Sequence, residues 1–266
     1  MIEFTDDMLK INPRIKKYEG KRKDLLNSDV VFLSYPKSGR TWTRYFLANY
    51  FEIAKKQPHD IYFRSNDPKI HFTHNFFDWF QGIDYPVSII DQNDYLDKKL
   101  ILMIRDPRDV GVSYFHQHTN RDHTAEFSDI DNFVLDNIYG IERQSEFVLQ
   151  AIDFFNNHKQ PKIMLKYEDV LRDNNEFKPL IELIFNEVDE QAFIHSIEKS
   201  DFKQMRNKEL SNFGGILGKK ANWNGDENAL KTRKAKIGSY EEELKLETIE
   251  KVNVMYYTNK LLKEHF

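Results

Sequence analysis

Residues Val30–Tyr50 read V-V-F-L-S-Y-P-K-S-G-R-T-W-T-R-Y-F-L-A-N-Y, and this stretch decides the fold. Val30–Leu33 is an unbroken apolar run, the mark of a strand buried on both faces. Pro36 cannot continue a ladder, and Gly39 permits a tight backbone path. From Thr41 the spacing of Trp42, Tyr45, Phe46 and Asn49 becomes helical. A strand, a short loop and a helix in that order aim backbone N–H groups and the positive end of a helix dipole into one small volume. Lys37 adds a cation there, and Ser38 and Thr41 add hydroxyls. The guest suited to such a loop is a phosphate or a sulfate. It is not a Walker A loop, because the lysine precedes the glycine.

Working outward, two more apolar runs predict parallel strands: Leu100–Ile104, and Pro161–Tyr167 with the reading P-K-I-M-L-K-Y. The first ends on Arg105, and Asp106-Pro107 suits the start of a helix over Asp109–Gln117. Ser113, eight residues beyond Arg105, can turn back toward it, and an arginine fork beside a hydroxyl grips phosphate. Pairing with Asp106 or Asp109 is the competing role for Arg105. A shorter strand is expected over Ile70–Thr73 in K-I-H-F-T-H. His74 then stands at its carboxyl end, where doubly wound sheets gather their sites. His71 competes as a base but shares its strand face with Thr73.

Amphipathic helices are expected within Ser128–Asn157, over Phe177–Phe202 and over Glu241–Phe266, with a short one before Ser28. The aromatic run Asn75–Tyr85 suits either core or the wall of an acceptor pocket. His116, His118 and His123 cluster with Asp122, but their spacing is not that of a metal site; a mobile loop is expected there, and no metal. Leu210–Ala229 reads as a long loop of the kind that forms lids.

The chain has 266 residues, a net charge of −4, 21 Phe, 13 Tyr and no Cys. That length suits one α/β domain spanning 1–266, with a central parallel sheet flanked by helices. The charge argues against a general nucleic-acid surface. The absence of cysteine excludes disulfides and thiolate metal sites. No run approaches a membrane span and the first residues lack an apolar signal core, so a cytoplasmic protein is expected.

Y-P-K-S-G-R-T-W resembles the 5′-phosphosulfate loop of the sulfotransferases that use 3′-phosphoadenosine 5′-phosphosulfate (PAPS), with Arg40 where many animal members carry threonine. R-D-P-R-D-V-G-V-S-Y is similar to that family's 3′-phosphate element. Further similarities run in order through Thr73-His74, Tyr167-Glu168-Asp169, Ser200-Asp201-Phe202-Lys203-Gln204-Met205 and R-K-A-K-I-G-S-Y from Arg233. Together they span Ser28–Glu243. Phe72 replaces a lysine of the family pattern, and Ala235 and Ser239-Tyr240 depart from its G and D-W.

The resemblance implies a P-loop-like sulfotransferase fold. It implies PAPS as co-substrate and a small-molecule, carbohydrate or lipid acceptor. It makes Lys37, His74 and Ser113 the catalytic residues, with His74 as base. It gives Lys37, Ser38, Gly39, Arg40, Thr41 and Trp42 to the phosphosulfate, and Arg105, Ser113, Arg233 and Lys234 to the 3′-phosphate. Tyr167, Ser200 and Phe202 fall to the nucleoside, though Tyr167 also suits simple packing. Two rivals remain open at this stage. One is a P-loop small-molecule kinase using ATP–Mg²⁺, with Asp106 or Glu168-Asp169 as metal holder. The other is a non-catalytic nucleotide-binding protein.

Overall fold

Four short parallel strands carry the molecule: β1 (Val30–Ser34), β2 (Ile70–Thr73), β3 (Lys99–Ile104) and β4 (Lys162–Lys166), in the order β2-β1-β3-β4. The structure is a computed structural model that describes residues 13–56, 68–75, 92–122, 127, 129–211, 217 and 225–266. Leu33 is paired with Thr73 and Leu102, and Ile104 with Lys166. This register aligns the carboxyl ends of all four strands. The segments that follow them, beginning at Tyr35, His74, Arg105 and Tyr167, therefore leave the sheet on one edge.

Strand side chains alternate between two cores. Val31, Leu33, Leu100, Leu102 and Ile104 face one cluster, which includes Val110, Val112, Phe147, Ala151 and Ile152. These come from α3 (Pro107–His116) and α5 (Ile141–Asn157). Val30, Phe32, Ile101 and Met103 face the other, with Phe46, Leu47 and Phe193. Those belong to α2 (Arg40–Lys55) and α8 (Glu190–Lys199). Phe46 stacks on Phe177 with ring centroids 4.4 Å apart. The expected parallel sheet with helices on both faces is the architecture found.

Several boundaries differ from expectation. An N-terminal helix, α1, spans Pro13–Leu26. The Ser128–Asn157 region holds α4 (Ile130–Val134) before α5. The Phe177–Phe202 helix is broken: α7 (Lys178–Phe185) stops at left-handed Asn186, and Asp189 caps α8 by accepting from Ala192 N. Tyr167 opens α6 (Tyr167–Arg172), and Asp201 caps α9 (Phe202–Leu210). The C-terminal helix is three pieces, α10 (Tyr240–Glu243), α11 (Leu246–Thr258) and α12 (Lys260–His265). Where a mobile loop was expected after α3, a π-helical turn continues over Gln117–Arg121. The aromatic stretch 76–85, His123 and most of the 210–229 loop lie outside the described residues. Among those described, no helix is long and apolar enough to cross a membrane.

Candidate active site

The β1–α2 loop turns on two left-handed residues, Lys37 at φ 69° and Gly39 at φ 104°. A Cβ at Gly39 would lie 2.7 Å from Met103 Cε and 2.8 Å from Tyr167 Cδ2, so a larger residue would displace both. Arg105 leaves the end of β3 with Cζ 4.3 Å from the Tyr167 ring centroid. It donates from Nη1 to Lys37 O at 3.0 Å. The two cations taken from separate sequence motifs are thus direct neighbours.

Behind Arg105, Asp109 gathers a distant segment. It accepts from Gly238 N at 2.8 Å, Ser239 Oγ at 2.9 Å and Tyr240 N at 3.1 Å. This clasp brings the Arg233–Gly238 run beside α3. Trp42 ties α2 to the α8–α9 turn, donating from Nε1 to Ser200 O at 3.1 Å and packing edge-on against Tyr167 and Phe177.

These contacts enclose a cavity of about 780 Å³. Lys37, Gly39, Arg40, Thr41 and Trp42 line it from the loop and α2, and His74 from the end of β2. Arg105, Ser113 and Tyr167 line it from the neighbouring strand ends and α3. Ser200, Phe202, Arg233 and Lys234 complete the set. Every site residue read from the sequence is on this surface except Ser38, which is buried beside it, and His71 is not on it. Ser38 Oγ, Ser200 Oγ and Arg105 Nε are buried without hydrogen-bond partners. Buried polar atoms are rarely left so, and these three suit a ligand bearing phosphate and hydroxyl groups.

The electrostatics are those of an anion site. Lys37 Nζ donates to Gln117 Oε1 at 3.2 Å. Desolvation lowers its pKa to about 7, helped by the charges of Arg121, Arg105, Lys231 and Arg233. His74 Nδ1 lies 2.7 Å from Ser34 O. A carbonyl only accepts, so Nδ1 carries the proton and Nε2 keeps the lone pair. Burial, together with Arg40, Arg44 and Lys37, holds His74 well below the usual imidazole pKa, so it is neutral. His118, beside Tyr114 and Tyr139, is lowered by burial to about 4.

Some functional neighbours were missed by sequence reasoning. Glu243 accepts from Arg233 Nη1 at 2.6 Å, Lys234 Nζ at 2.8 Å and His116 Nε2 at 2.7 Å. Burial alone would raise its pKa, but hydrogen bonds from His116, Lys234 and Arg233 hold it at about 2. Nothing in Y-E-E-E signals this hub. Asp109 sits inside the R-D-P-R-D run but showed no sign of its distant partners. Arg44 and Lys231 also line the cavity. At Phe72, where the family pattern has lysine, the Arg44 guanidinium lies 4.7 Å from the ring centroid.

Of the acids read as metal holders, Asp106 and Asp169 are paired with arginines, while Glu168 keeps its Oε2 buried without a hydrogen-bond partner. Asp106 accepts from Arg108 Nε and Nη2, at 3.0 and 2.6 Å, and Glu168 accepts from Asp106 N at 3.0 Å.

The sulfotransferase domain family matches residues 27–264. The chain belongs to that family. With it comes the enzyme class read from the motifs, a PAPS-dependent sulfotransferase. Bovine (Bos taurus) sulfotransferase 1A1 is 22% identical to this sulfotransferase over 213 residues, covering 71% of this chain and 69% of the bovine protein. Mouse sulfotransferase SULT7A1 complexed with PAP superposes with a TM-score of 0.62 at 18% identity, covering 93% of this chain and 94% of the mouse chain. Retinol dehydratase complexed with retinol and PAP gives 0.60 at 19% identity, covering 90% and 83%. A second retinol dehydratase structure, with androsterone and PAP, gives 0.61 at 18%, covering 85% and 78%.

One departure from the family pattern is conformational. Ala235, in place of glycine, has a left-handed φ of 49°. An L-residue is strained there by about 1 kcal/mol. Ala235→Gly is expected to raise the melting temperature by about 2–4 °C, read by calorimetry. An unchanged or lower midpoint would mean that the strain is relieved locally.

Proposed function

We propose that this sulfotransferase, acting as a single domain, moves the sulfuryl group of PAPS to a hydroxyl or amine of a small-molecule, sugar or lipid acceptor. The supporting observation is one cavity that holds both Lys37–Arg105, joined by a hydrogen bond, and a neutral His74. The complexes of mouse SULT7A1 and of retinol dehydratase with PAP support the donor.

The donor supplies the sulfuryl group, whose bond to the acceptor forms as its bond to the phosphate breaks. The β1–α2 loop and its lysine hold the phosphosulfate end. Arg105, Ser113, Arg233 and Lys234 hold the 3′-phosphate, while Tyr167, Ser200 and Phe202 frame the nucleoside. His74 Nε2 takes the acceptor's proton, and its Nδ1–H stays on Ser34 O. Lys37 meets the charge that grows on the leaving phosphate oxygen. Bound anions offset the cations that depress His74, which strengthens it as a base when the donor is in place.

The deciding experiment is a thermal-shift comparison. PAP at ~100 times its dissociation constant should stabilise the protein by ~2.7 kcal/mol, with little effect from ATP–Mg²⁺. The reverse order would return the protein to the kinase reading, against which the engagement of Asp106 by Arg108 already argues.

Arg105→Ala is expected to weaken PAP binding by about 10- to 100-fold, the worth of a charge-assisted phosphate contact. Binding of adenosine 5′-phosphate should be spared. Equal losses for both nucleotides in calorimetry would reassign Arg105 to holding the loop through Lys37 O.

A further inference from the structure

A lysine carries its charge on a flexible stem, so an ammonium that must meet one oxygen needs a holder. Cations act on Lys37 from three places: Arg105 beyond β3, Arg121 in the π-helical turn, and Lys231 with Arg233 on the segment before Gly238. Its own charge reaches His74 and His118. Among the described residues, its hydrogen-bond partner is Gln117 Oε1, 3.2 Å away and 80 positions along the chain. Gln117 is oriented in turn, because its Nε2 donates to Asp122 Oδ2. A carboxylate only accepts and an ammonium only donates, so the amide can face these two partners in one sense alone.

The backbone explains why Asp122 stands there. Its N–H donates to Gln117 O at 2.8 Å, the five-residue spacing of a π turn. In an unbroken α-helix Arg121 would share the face of Gln117. Here Arg121 instead donates to Glu209 Oε1 and Ala229 O, at 3.2 and 2.7 Å. Such inserted turns recur at functional sites. Ser113 stands one turn before Gln117, its carbonyl accepting from Gln117 N, and both residues line the cavity. An amide suits this task better than an acid. A carboxylate in direct contact would compete with the donor's oxygens for the ammonium, whereas the amide takes one of its three N–H groups and leaves two.

We infer that Gln117, braced by Asp122, is the positioning residue for Lys37: it holds the ammonium at the cavity wall and leaves two N–H groups for the donor's phosphate oxygens. The inference rests on the donor reading, in which Lys37 meets the leaving group.

The test uses the full chain with carbon-labelled lysines, the Lys37 signal being assigned by its loss in Lys37→Ala. In NMR titrations of the ligand-free chain, Gln117→Leu should lower the Lys37 midpoint by about one pH unit, the scale of one hydrogen bond to a charge. Gln117→Glu should raise it, and Asp122→Asn should lower it by less than Gln117→Leu does. Sulfuryl release from PAPS, to 4-nitrophenol or without it to water, is then timed in single turnovers. Gln117→Leu should slow release ~10-fold. PAP affinity should move by less than ~3-fold, which also reports a folded site. In the Lys37→Ala background the same substitution should cost less than ~2-fold, because a residue that acts through Lys37 then has nothing to position. The inference is overturned if Lys37 titrates unchanged in any of the three variants, or if Gln117→Leu costs as much without Lys37 as with it. It is equally overturned if that substitution weakens PAP and leaves the rate of release alone. Lys37→Ala is read first and by itself. Near-normal release there removes the lysine's role and this inference together, whereas slow release with an uncoupled Gln117 removes the inference alone.

Discussion

Replacing Lys37 with alanine is expected to lower kcat by about 10³-fold, the scale of removing one preorganised donor from a developing oxyanion. PAP affinity should fall less, because the loop amides and the 3′-phosphate cations remain. The same residue sets a pH limb. In the proposed mechanism Lys37 acts in its protonated form, and burial with neighbouring cations lowers its pKa to about 7 in the ligand-free protein. Thus kcat/KM should fall as pH rises through 7. Donor anions raise that pKa, so the corresponding limb in kcat should lie at higher pH. Pre-steady-state and pH–rate measurements on the purified enzyme check both points. Turnover within a few-fold of normal in the alanine variant would remove Lys37 from the chemistry.

His74→Ala carries the second large effect, a loss of about 10²- to 10⁴-fold in kcat, as for removal of a general base. PAP binding should be unchanged, since only the acceptor's proton is at stake. The neutral imidazole of the ligand-free protein predicts no acid limb near pH 6.5 in kcat/KM of the normal enzyme. Partial rescue of the variant by added imidazole would identify a missing base. Full activity without His74 would send the search to His118, a second buried imidazole on the cavity wall among the described residues.

Much of this site was legible in the residues. Apolar runs at Val30–Leu33 and Leu100–Ile104 marked buried strands, and the cations just past them marked the anion end of a parallel sheet. Period two put His71 and His74 on different faces, and His74 lines the cavity while His71 does not. What remained hidden depends on contacts between segments far apart in the chain. Asp109 reaches Gly238 and Tyr240, and Glu243 reaches back to His116, with no local pattern to announce either pairing. The break at Asn186 lies in a backbone conformation that its neighbours do not dictate. Ala235 is the reverse case: the missing glycine was visible, but not that the alanine in its place would take a left-handed φ.

With the donor placed as proposed, the hydrogen bond from the Arg105 guanidinium to the Lys37 carbonyl is a mechanical link between the residues at its two ends. Whatever grips Arg105 from the ribose side also sets the pitch of the peptide that carries the ammonium. A donor stripped of its remote phosphate should therefore turn over slowly even at saturation, because attraction at one end is spent on alignment at the other.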